Sequence, residues 1–425
     1  MNFTLNDNIN NIYGDEKVNH AKEDIYHLWQ ECFGDSKEYT DFYFKWKVKD
    51  NQILTIYKKD SLCSMLHLNP YILSVREQQL PINYIVGVAT QKDERRQGLM
   101  KILLEKALHQ MYQENMPFTY LMPAAEAIYS PYDFRVVYEQ KPWNKIMKAT
   151  IQNLREQHKN DYKDIVVKPL SIEDKDCIEE LTTFCNDRLS KDYDIYVHRT
   201  PNYYERLIHE MKSGFGEVLV CYKGDQILGY LSYMAEDAIY ITEMITNQKG
   251  KDTILQALGA YFEDNIKKRL HEDKEHKTTT IMVRIVDFRT FIKSISATEE
   301  MHIIMKVVDD IIQENNGIYQ LNFTKEGCHV TTTTEEPEIT LNIADVTRLF
   351  FGGMNKEEYH ITTNTEESEI ILSIADVTSL SFGRMKKEEF IKQGSEVLSS
   401  IHNKSVIDKL DKVNKKLKVF INDVV

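Results

Sequence analysis

The spacing of apolar residues changes several times along the first third of the chain. Residues 24–48 combine helical spacing with many aromatic side chains and predict two early helices. Three alternating, strand-like runs follow: QILTIYKK, SLCSMLHLNPYILSV and NYIVGVAT. From Gly98 the apolar positions recur every three or four residues, which predicts an amphipathic helix. FTYLMPA then predicts a strand, EAIYSPY a short helix or turn, and RVVYEQKPW a closing strand.

A second segment, from about Asp164 to residue 278, repeats this outline weakly. A strand AIYITEMI leads through KGK into a helix DTILQALGAYF, without the two arginines of the first segment. A third segment, from Ile281, is richer in strands and threonine. We therefore predict an α/β protein with mixed sheets and three domains, at residues 1–148, 149–279 and 280–425; about 150 residues per domain is typical.

The third segment contains a local duplication. Thr332–Tyr359 and Thr363–Phe390 superpose with a shift of 31, and 19 of the 28 aligned positions are identical when counted on the printed sequence. Each copy predicts a strand and then a short helix, beginning at Asp345 or Asp376 and ending at a glycine. Two copies are too few for a solenoid. The sequence leaves open which copy occupies the sheet.

Composition narrows the function classes. The hydrophobic share of 42% and the charged share of 28% are typical of a globular protein. No run approaches the roughly 18 apolar residues of a membrane span. The polar N-terminus and six scattered cysteines, with no CxxC pair, favour a cytoplasmic protein without a metal site. A net charge of −13 disfavours nucleic acid and is compatible with a cationic substrate.

The junction DERRQGLM carries the clearest candidate chemistry. A helix start presents free N–H groups at the positive end of its dipole, Gly98 allows close backbone approach, and Arg95 and Arg96 add positive charge. These features predict an anion site that fits a phosphate or pyrophosphate. Neither GxGxxG nor GxxxxGK[ST] is present, so the common nucleotide folds are disfavoured.

The order strand, Arg-x-x-Gly, helix, strand and tyrosine resembles motif A of the GNAT N-acetyltransferases. The continuation Gly98-Leu99-Met100 is similar to the enhanced intracellular survival (Eis) type, in which a GNAT domain is followed by a degenerate GNAT domain and a sterol-carrier-protein-like domain. AEAIYSPYDF, MVRIVDF and EITLNIADVTRLFFGG also resemble segments of that branch. The resemblance thus covers the whole chain.

The resemblance implies an enzyme that transfers the acetyl group of acetyl-CoA to a primary amine. It places the pantetheine arm of coenzyme A against Val88, Ala89 and Thr90. It implies that the pyrophosphate is held by the loop of Arg95, Arg96, Gln97, Gly98, Leu99, Met100 and Lys101. Ala125 and Glu126 would close the other side of the thiol, although Ala125 replaces the family's serine.

Two catalytic groups are implied by the same resemblance. Tyr129 falls at the position of the general acid, although the chain has 24 tyrosines and Tyr132 lies three residues away. The carboxylate of Val425 falls at the position of the general base. A tyrosine near pKa 10 stays protonated at neutral pH and can donate to a thiolate. The amine, with a pKa of about 10.4, must lose a proton, and a carboxylate can accept it through water or when burial raises its pKa.

The acceptor remains open among polyamines, aminoglycosides and lysine side chains. The family implies a homo-oligomer, with a hexamer as one candidate. The alternative is a non-catalytic protein that senses coenzyme A or binds a lipid or partner. The substitution Ala125 and the duplication are the observations in its favour.

Overall fold

In the structure, a computed structural model, the chain forms two compact units. The structure describes residues 4–6, 16–76, 78–157, 162–265, 280–351, 409–410, 412–413 and 417–421. The first unit comprises Met1–Ala107, Tyr138–Ile281 and Lys418–Val425. The second comprises Leu108–Val137 and Met282–Leu417.

Strands alternate with helices along the described chain, which confirms the predicted α/β class. The strands are β1 Thr4–Asn6, β2 Gln52–Lys58, β3 Ser61–Val75, β4 Gln78–Thr90, β5 Phe118–Leu121, β6 Arg135–Glu139, β7 Val166–Pro169, β8 Ile195–Val197, β9 Glu217–Lys223, β10 Gln226–Ala235, β11 Ile239–Thr246, β12 Thr280–Ile285, β13 Met301–Val308, β14 Gly317–Phe323, β15 Cys328–Thr332, β16 Ile339–Asn342 and β17 Val419–Phe420. The three strand-like runs that precede the arginine loop are confirmed as β2, β3 and β4.

The helices lie mainly where apolar residues recur at helical spacing. They are α1 Glu16–Phe33, α2 Lys37–Trp46, α3 Leu99–Gln113, α4 Glu126–Tyr129, α5 Trp143–Gln157, α6 Lys175–Asp192, α7 Pro201–Ser213, α8 Lys251–Asn265, α9 Phe288–Ile292 and α10 Ile343–Phe351. The two early helices and the helix after Gly98 are therefore confirmed. In the part of the chain that the structure describes, no helix combines the length and apolar character that a membrane crossing needs.

The first unit contains two sheets. In one, β1 to β4 pair antiparallel in sequence order, β8 pairs with the end of β3, and β17 runs parallel to β8. In the other, the order of the described strands is β11-β10-β9-β7, with every pair antiparallel. Helices α1 and α2 cover the first sheet with a core that includes Trp29, Tyr43 and Met65.

The weak repetition in the second segment is confirmed in backbone geometry. Gly250 precedes α8 with φ +87°, as Gly98 precedes α3 with φ +78°. The first helical hydrogen bond then runs from Ile254 N to Gly250 O, as it does from Ile102 N to Gly98 O. The helix start thus recurs without the flanking arginines.

The second unit joins parts of the chain that are far apart in sequence. Strand β12 lies between β5 and β6 and pairs antiparallel with β5, with Ile285 opposite Phe118. The Phe118 ring packs edge-on against Phe291 and Phe351. MVRIVDF is a strand as far as Ile285, as expected, and the proposed domain boundaries remain a prediction.

The first copy of the duplication supplies both a strand and a helix to the second unit. Strand β16 runs parallel to β13, in a sheet whose described strands have the order β15-β14-β13-β16. The predicted helix start at Asp345 was wrong by two residues: α10 begins at Ile343, because the Asn342 side chain accepts the Asp345 N–H at 2.8 Å and donates to its carboxylate at 2.9 Å. The second copy lies outside the described residues.

Candidate active site

The end of β4 is bent by a β-bulge at Gly87 and Val88. The register shifts here, because Ala89 pairs with Met65 while Val86 pairs with His67. Gly87 has φ +60°, a conformation that glycine adopts at little cost. The bulge re-aims the last residues of the strand, which are those expected to meet the pantetheine arm.

The strand end beyond the bulge is partly exposed. Val88 and Thr90 are half-buried, and Ala89 is buried. The carbonyl of Ala89 accepts the Ser64 hydroxyl at 2.8 Å, and that of Thr90 accepts Arg95 Nε at 3.2 Å.

The loop from Arg95 to Gly98 turns the backbone towards the start of α3. Arg96 adopts the left-handed region at φ +64°, and Gly98 does so at φ +78°. Since the first intrahelical bond is made by Ile102 N, the N–H groups of Leu99, Met100 and Lys101 have no acceptor within the helix. These N–H groups at the start of α3, which we call the cradle, can bind an anion, and the pyrophosphate site stays a prediction.

The two arginines of the loop behave differently. Both are exposed, and Arg95 also folds back onto the end of β4, where its Nε donates to the Thr90 carbonyl. Glu94 ties the loop to β2: its carboxylate accepts Lys58 Nζ at 2.8 Å and Gln97 Nε2 at 2.7 Å. The hydrogen bond from Lys58 lowers the pKa of Glu94.

The loop fits the diphosphate of coenzyme A. A Cβ placed on Gly98 would have no neighbour within 4 Å, so a ligand can approach the backbone there. Leu99 is 2% exposed and anchors the first turn of α3 in the core, while Met100 is half-buried and Lys101 is exposed. In this loop, Leu99 is therefore anchored in the core, while the backbone at Gly98 is open to a ligand.

Tyr129 lies in the second unit, at the end of the four-residue helix α4. It is 8% exposed, and its ring packs edge-on against Phe134 at a centroid distance of 6.1 Å. Burial raises the pKa of Tyr129 to about 12. Its phenol therefore stays protonated throughout the neutral range.

Ala125 and Glu126 lie on the same short helix as Tyr129. Ala125 occupies the N-cap position and makes no side-chain cap hydrogen bond, although its carbonyl accepts the Ile128 N–H at 3.1 Å. The carbonyl of Glu126 accepts the Ser130 hydroxyl at 2.9 Å, while its side chain is exposed. The structure thus brings the three predicted residues of this region together in one turn.

Val425 lies outside the described residues. The nearest described residues before it, Val419, Phe420 and Ile421, are all buried. Phe420 packs against Tyr193 and Tyr138 in the first unit. The chain is therefore anchored four residues before Val425.

Sequence reasoning missed an acidic pair in the first unit. Trp29 Nε1 donates to Asp35 Oδ2 at 2.8 Å, and the hydroxyl of Ser36 donates to Glu236 Oε1 at 3.1 Å. Burial raises the pKa of Asp35, and the charge of Glu236 raises it further. Cys32, three residues before Asp35, directs its thiol at the Thr90 carbonyl at the end of β4. Across the described ranges, no group of three or more His, Cys, Asp or Glu side chains is arranged to hold a metal ion.

Two protein-family models match the chain, and together they define its class. Residues 19–137 match the acetyltransferase (GNAT) domain, and residues 284–377 match the sterol carrier protein domain. The chain therefore contains an acetyltransferase (GNAT) domain followed by a sterol carrier protein domain. None of the curated proteins compared with the chain matches it significantly.

Solved structures with the same fold include Eis1 from Mycobacterium abscessus, which is 12% identical over 100% of both chains with a TM-score of 0.59. A GCN5-related N-acetyltransferase from Anabaena variabilis is 12% identical over 100% of both chains, with a TM-score of 0.66. A probable N-acyltransferase of unknown function from Enterococcus faecalis is 16% identical over 84% of this chain and 92% of that one, with a TM-score of 0.63. The Eis-type resemblance is thus confirmed by the two domains and the shared fold.

Proposed function

We propose that the protein is an acetyl-CoA-dependent N-acetyltransferase that acetylates a primary amine of a cationic molecule. The observation that carries this proposal is Tyr129: a buried, protonated phenol within the matched GNAT domain, at the position of the family's general acid. The cradle at the start of α3 supports the same reaction. Its amides and Arg96 would hold the diphosphate, and the end of β4 would hold the pantetheine arm.

When bound, acetyl-CoA supplies the thioester that is cleaved. The amine nitrogen forms a bond to the acetyl carbon, and the carbon–sulfur bond breaks. Tyr129 donates its proton to the departing sulfur, and a base takes the proton that the amine nitrogen loses. The base releases its proton to solvent and Tyr129 regains one from solvent, so that amide and free thiol are the only products. Proton transfer of this kind is worth about 10²–10⁴ in rate.

We assign the base to the carboxylate of Val425, as the family resemblance implies. The buried strand β17 supports this assignment, because it anchors the chain just before that residue. Addition of one glycine after Val425 should lower kcat at least tenfold by displacing the carboxylate, with little change in the affinity for coenzyme A. Normal turnover by the extended protein would remove Val425 from the mechanism.

The acidic pair supports a cationic acceptor. Asp35 and Glu236 create a negative potential in the first unit, and a polyamine, an aminoglycoside or a lysine side chain carries the complementary charge. Cytoplasmic location and homo-oligomeric assembly complete the proposal. The first rests on the polar N-terminus and the scattered cysteines, and the second, with a hexamer as one candidate, rests on the family resemblance.

Steady-state kinetics with acetyl-CoA and a panel of amines tests the proposal. The panel should contain spermidine, an aminoglycoside, a lysine peptide and a neutral hydroxylamine ether as a low-charge control. We expect turnover with cationic amines, and Asp35→Asn should raise KM for a polyamine more than for the control. The absence of turnover with every amine, in protein shown to bind coenzyme A, would refute the proposal.

A further inference from the structure

Arg284 is a fully buried arginine that the reaction scheme above does not use. Its side chain has no exposed surface, and it projects from β12. It is also the first residue of the segment that matches the sterol carrier protein domain. A buried guanidinium is costly unless each of its donors finds a partner, so the partners of Arg284 show what it is there to hold.

The guanidinium of Arg284 binds the turn that follows Tyr129. Nε donates to the carbonyl of Tyr132 at 3.0 Å, and Nη2 lies 3.7 Å from the carboxylate of Asp133. Asp133 itself adopts the left-handed region at φ +66°, which ends the turn sharply. Both contacts fall within four residues of the proposed general acid.

The guanidinium is also held by the sterol carrier protein domain. Nη2 donates to Asp309 Oδ1 at 2.7 Å, and neither side chain is exposed. The Asp309 carboxylate also accepts the N–H groups of Ile311 and Ile312, both at 2.9 Å, and Nδ2 of Asn315 at 2.9 Å. Asp309 is therefore fixed by its own loop and cannot follow a displaced arginine.

Asn315 completes the connection to β12. Its Nδ2 donates to the carbonyl of Val286 at 2.8 Å, and its Oδ1 accepts the N–H of Phe288 at 3.0 Å. The strand that carries Arg284 and the loop that carries Asp309 are thus joined at several points. A continuous set of hydrogen bonds leads from the sterol carrier protein domain to the Tyr129 turn.

We infer that Arg284 is a positioning residue for acetyl transfer: through it, the sterol carrier protein domain fixes the Tyr129 turn of the acetyltransferase domain. The inference deepens the proposed function, since it rests on the role assigned to Tyr129. It gives the C-terminal domain a part in catalysis that requires no ligand of its own. The segment 108–137 and the C-terminal domain also fall in one compact unit.

The test compares Arg284→Lys with Arg199→Lys. Arg199 is a matched control: it is equally buried, and its guanidinium pairs with the buried Glu243 at 2.8 Å, in the other unit. Lysine keeps the charge but cannot donate to the Tyr132 carbonyl and to Asp309 in the same fork geometry. If Arg284→Lys does not fold, Asp309→Asn replaces it, because it removes the charge that orients the guanidinium.

Activity is measured in a double-mutant cycle with Tyr129→Phe. Arg284→Lys should lower kcat about ten- to hundredfold, with KM for acetyl-CoA unchanged, because a small misplacement of a reacting group is sufficient for such losses. In the Tyr129→Phe background the same change should have no further effect. An equal loss of kcat in both backgrounds, or an equal loss from Arg199→Lys, would overturn the inference.

Hydrogen exchange of a peptide covering residues 126–137 provides a readout that needs no turnover. Arg284→Lys should accelerate its exchange at least tenfold, and Arg199→Lys should leave it unchanged. Unchanged exchange in Arg284→Lys would refute the positioning role even if the enzyme is active. Accelerated exchange in a protein that acetylates no amine would instead refute the proposed function and retain the structural link.

Discussion

The indole ring of Trp29 covers the backbone of Gly87 at the bulge of β4. A Cβ added at position 87 would lie 2.6 Å from Cζ3 of Trp29 and 3.1 Å from the ring of His67. The same indole stacks on Tyr43 at a centroid distance of 4.1 Å and donates to Asp35. The Trp29 ring therefore contacts the β-bulge at Gly87 on one side and binds Asp35 on the other.

Gly87→Ala should destabilise the protein more than Gly98→Ala. Both glycines have positive φ, where a Cβ costs about 1–2 kcal/mol. Only Gly87 adds a clash, for which overpacking penalties of about 1–3 kcal/mol are typical. Urea denaturation followed by tryptophan fluorescence measures the difference. Equal midpoints for the two variants would contradict the close contact with Trp29.

The buried, neutral side chain of His67 should make the stability of the protein sensitive to acid. Burial lowers its pKa to about 3, from 6.5 for the exposed side chain, while its Nδ1 faces the Tyr43 hydroxyl at 3.0 Å. Because the unfolded state binds the proton more tightly, the stabilising contribution is complete above about pH 6.5 and is lost as the pH falls towards 3.

Between pH 6 and 4, the free energy of unfolding should therefore fall less steeply in His67→Leu than in the wild type. The two slopes should differ by about 1.4 kcal/mol per pH unit. Tyr43 keeps Asn51 and Asn69 as hydrogen-bond partners in the variant. Urea midpoints recorded at half-unit pH intervals provide the two slopes. Parallel slopes would show that His67 is protonated in the folded protein.

Arg96 and Arg95 should differ in their effect on cofactor affinity. Arg96→Ala should weaken coenzyme A binding about tenfold, because an exposed guanidinium at the cradle is free to meet the diphosphate. Arg95→Ala should weaken it less, since its Nε is engaged by Thr90. Calorimetric titrations at low and high salt test this, and the Arg96 variant should have the smaller salt dependence. The reverse order of affinities would assign the phosphate contact to Arg95.

Ala125→Ser should stabilise the turn that carries Tyr129. Ala125 has the extended backbone of an N-cap but provides no cap acceptor, and a serine there is worth about 0.5–2 kcal/mol. Hydrogen exchange of residues 126–132 should become about fivefold slower. Exchange that stays unchanged would show that this four-residue helix is not limited by its missing cap.

Much of the fold and the cofactor loop was predictable because the signals are local. The switch from alternation to helical spacing at Gly98 placed β4 and α3 within a few residues of their observed ends. The same switch placed the amides of Leu99 and Met100 at a helix start. Tyr129 was predicted as the general acid because the segment around it resembles the family's sequence. The structure adds that its phenol is buried, which keeps it protonated.

The remaining parts depend on contacts between distant positions, which no local pattern encodes. Ser36 and Glu236 are 200 positions apart, and Arg284 and Tyr132 are 152 apart. The sequence around Arg284, an apolar strand with one arginine, does not indicate which distant residues its guanidinium binds. The start of α10 was misplaced for a smaller reason, because Asn342 and Asp345 can both cap a helix and only the backbone shows which does.

Acetyl transfer by Tyr129→Phe tests the central claim most directly. Phenylalanine keeps the packing against Phe134 and removes only the hydroxyl that donates the proton. We predict that kcat with acetyl-CoA and a polyamine falls by about 10²–10⁴, while the Kd of coenzyme A is unchanged. Because the pKa of Tyr129 is about 12, the loss should be constant from pH 6 to 10. A kcat within threefold of the wild type would contradict the assignment of Tyr129 as the general acid.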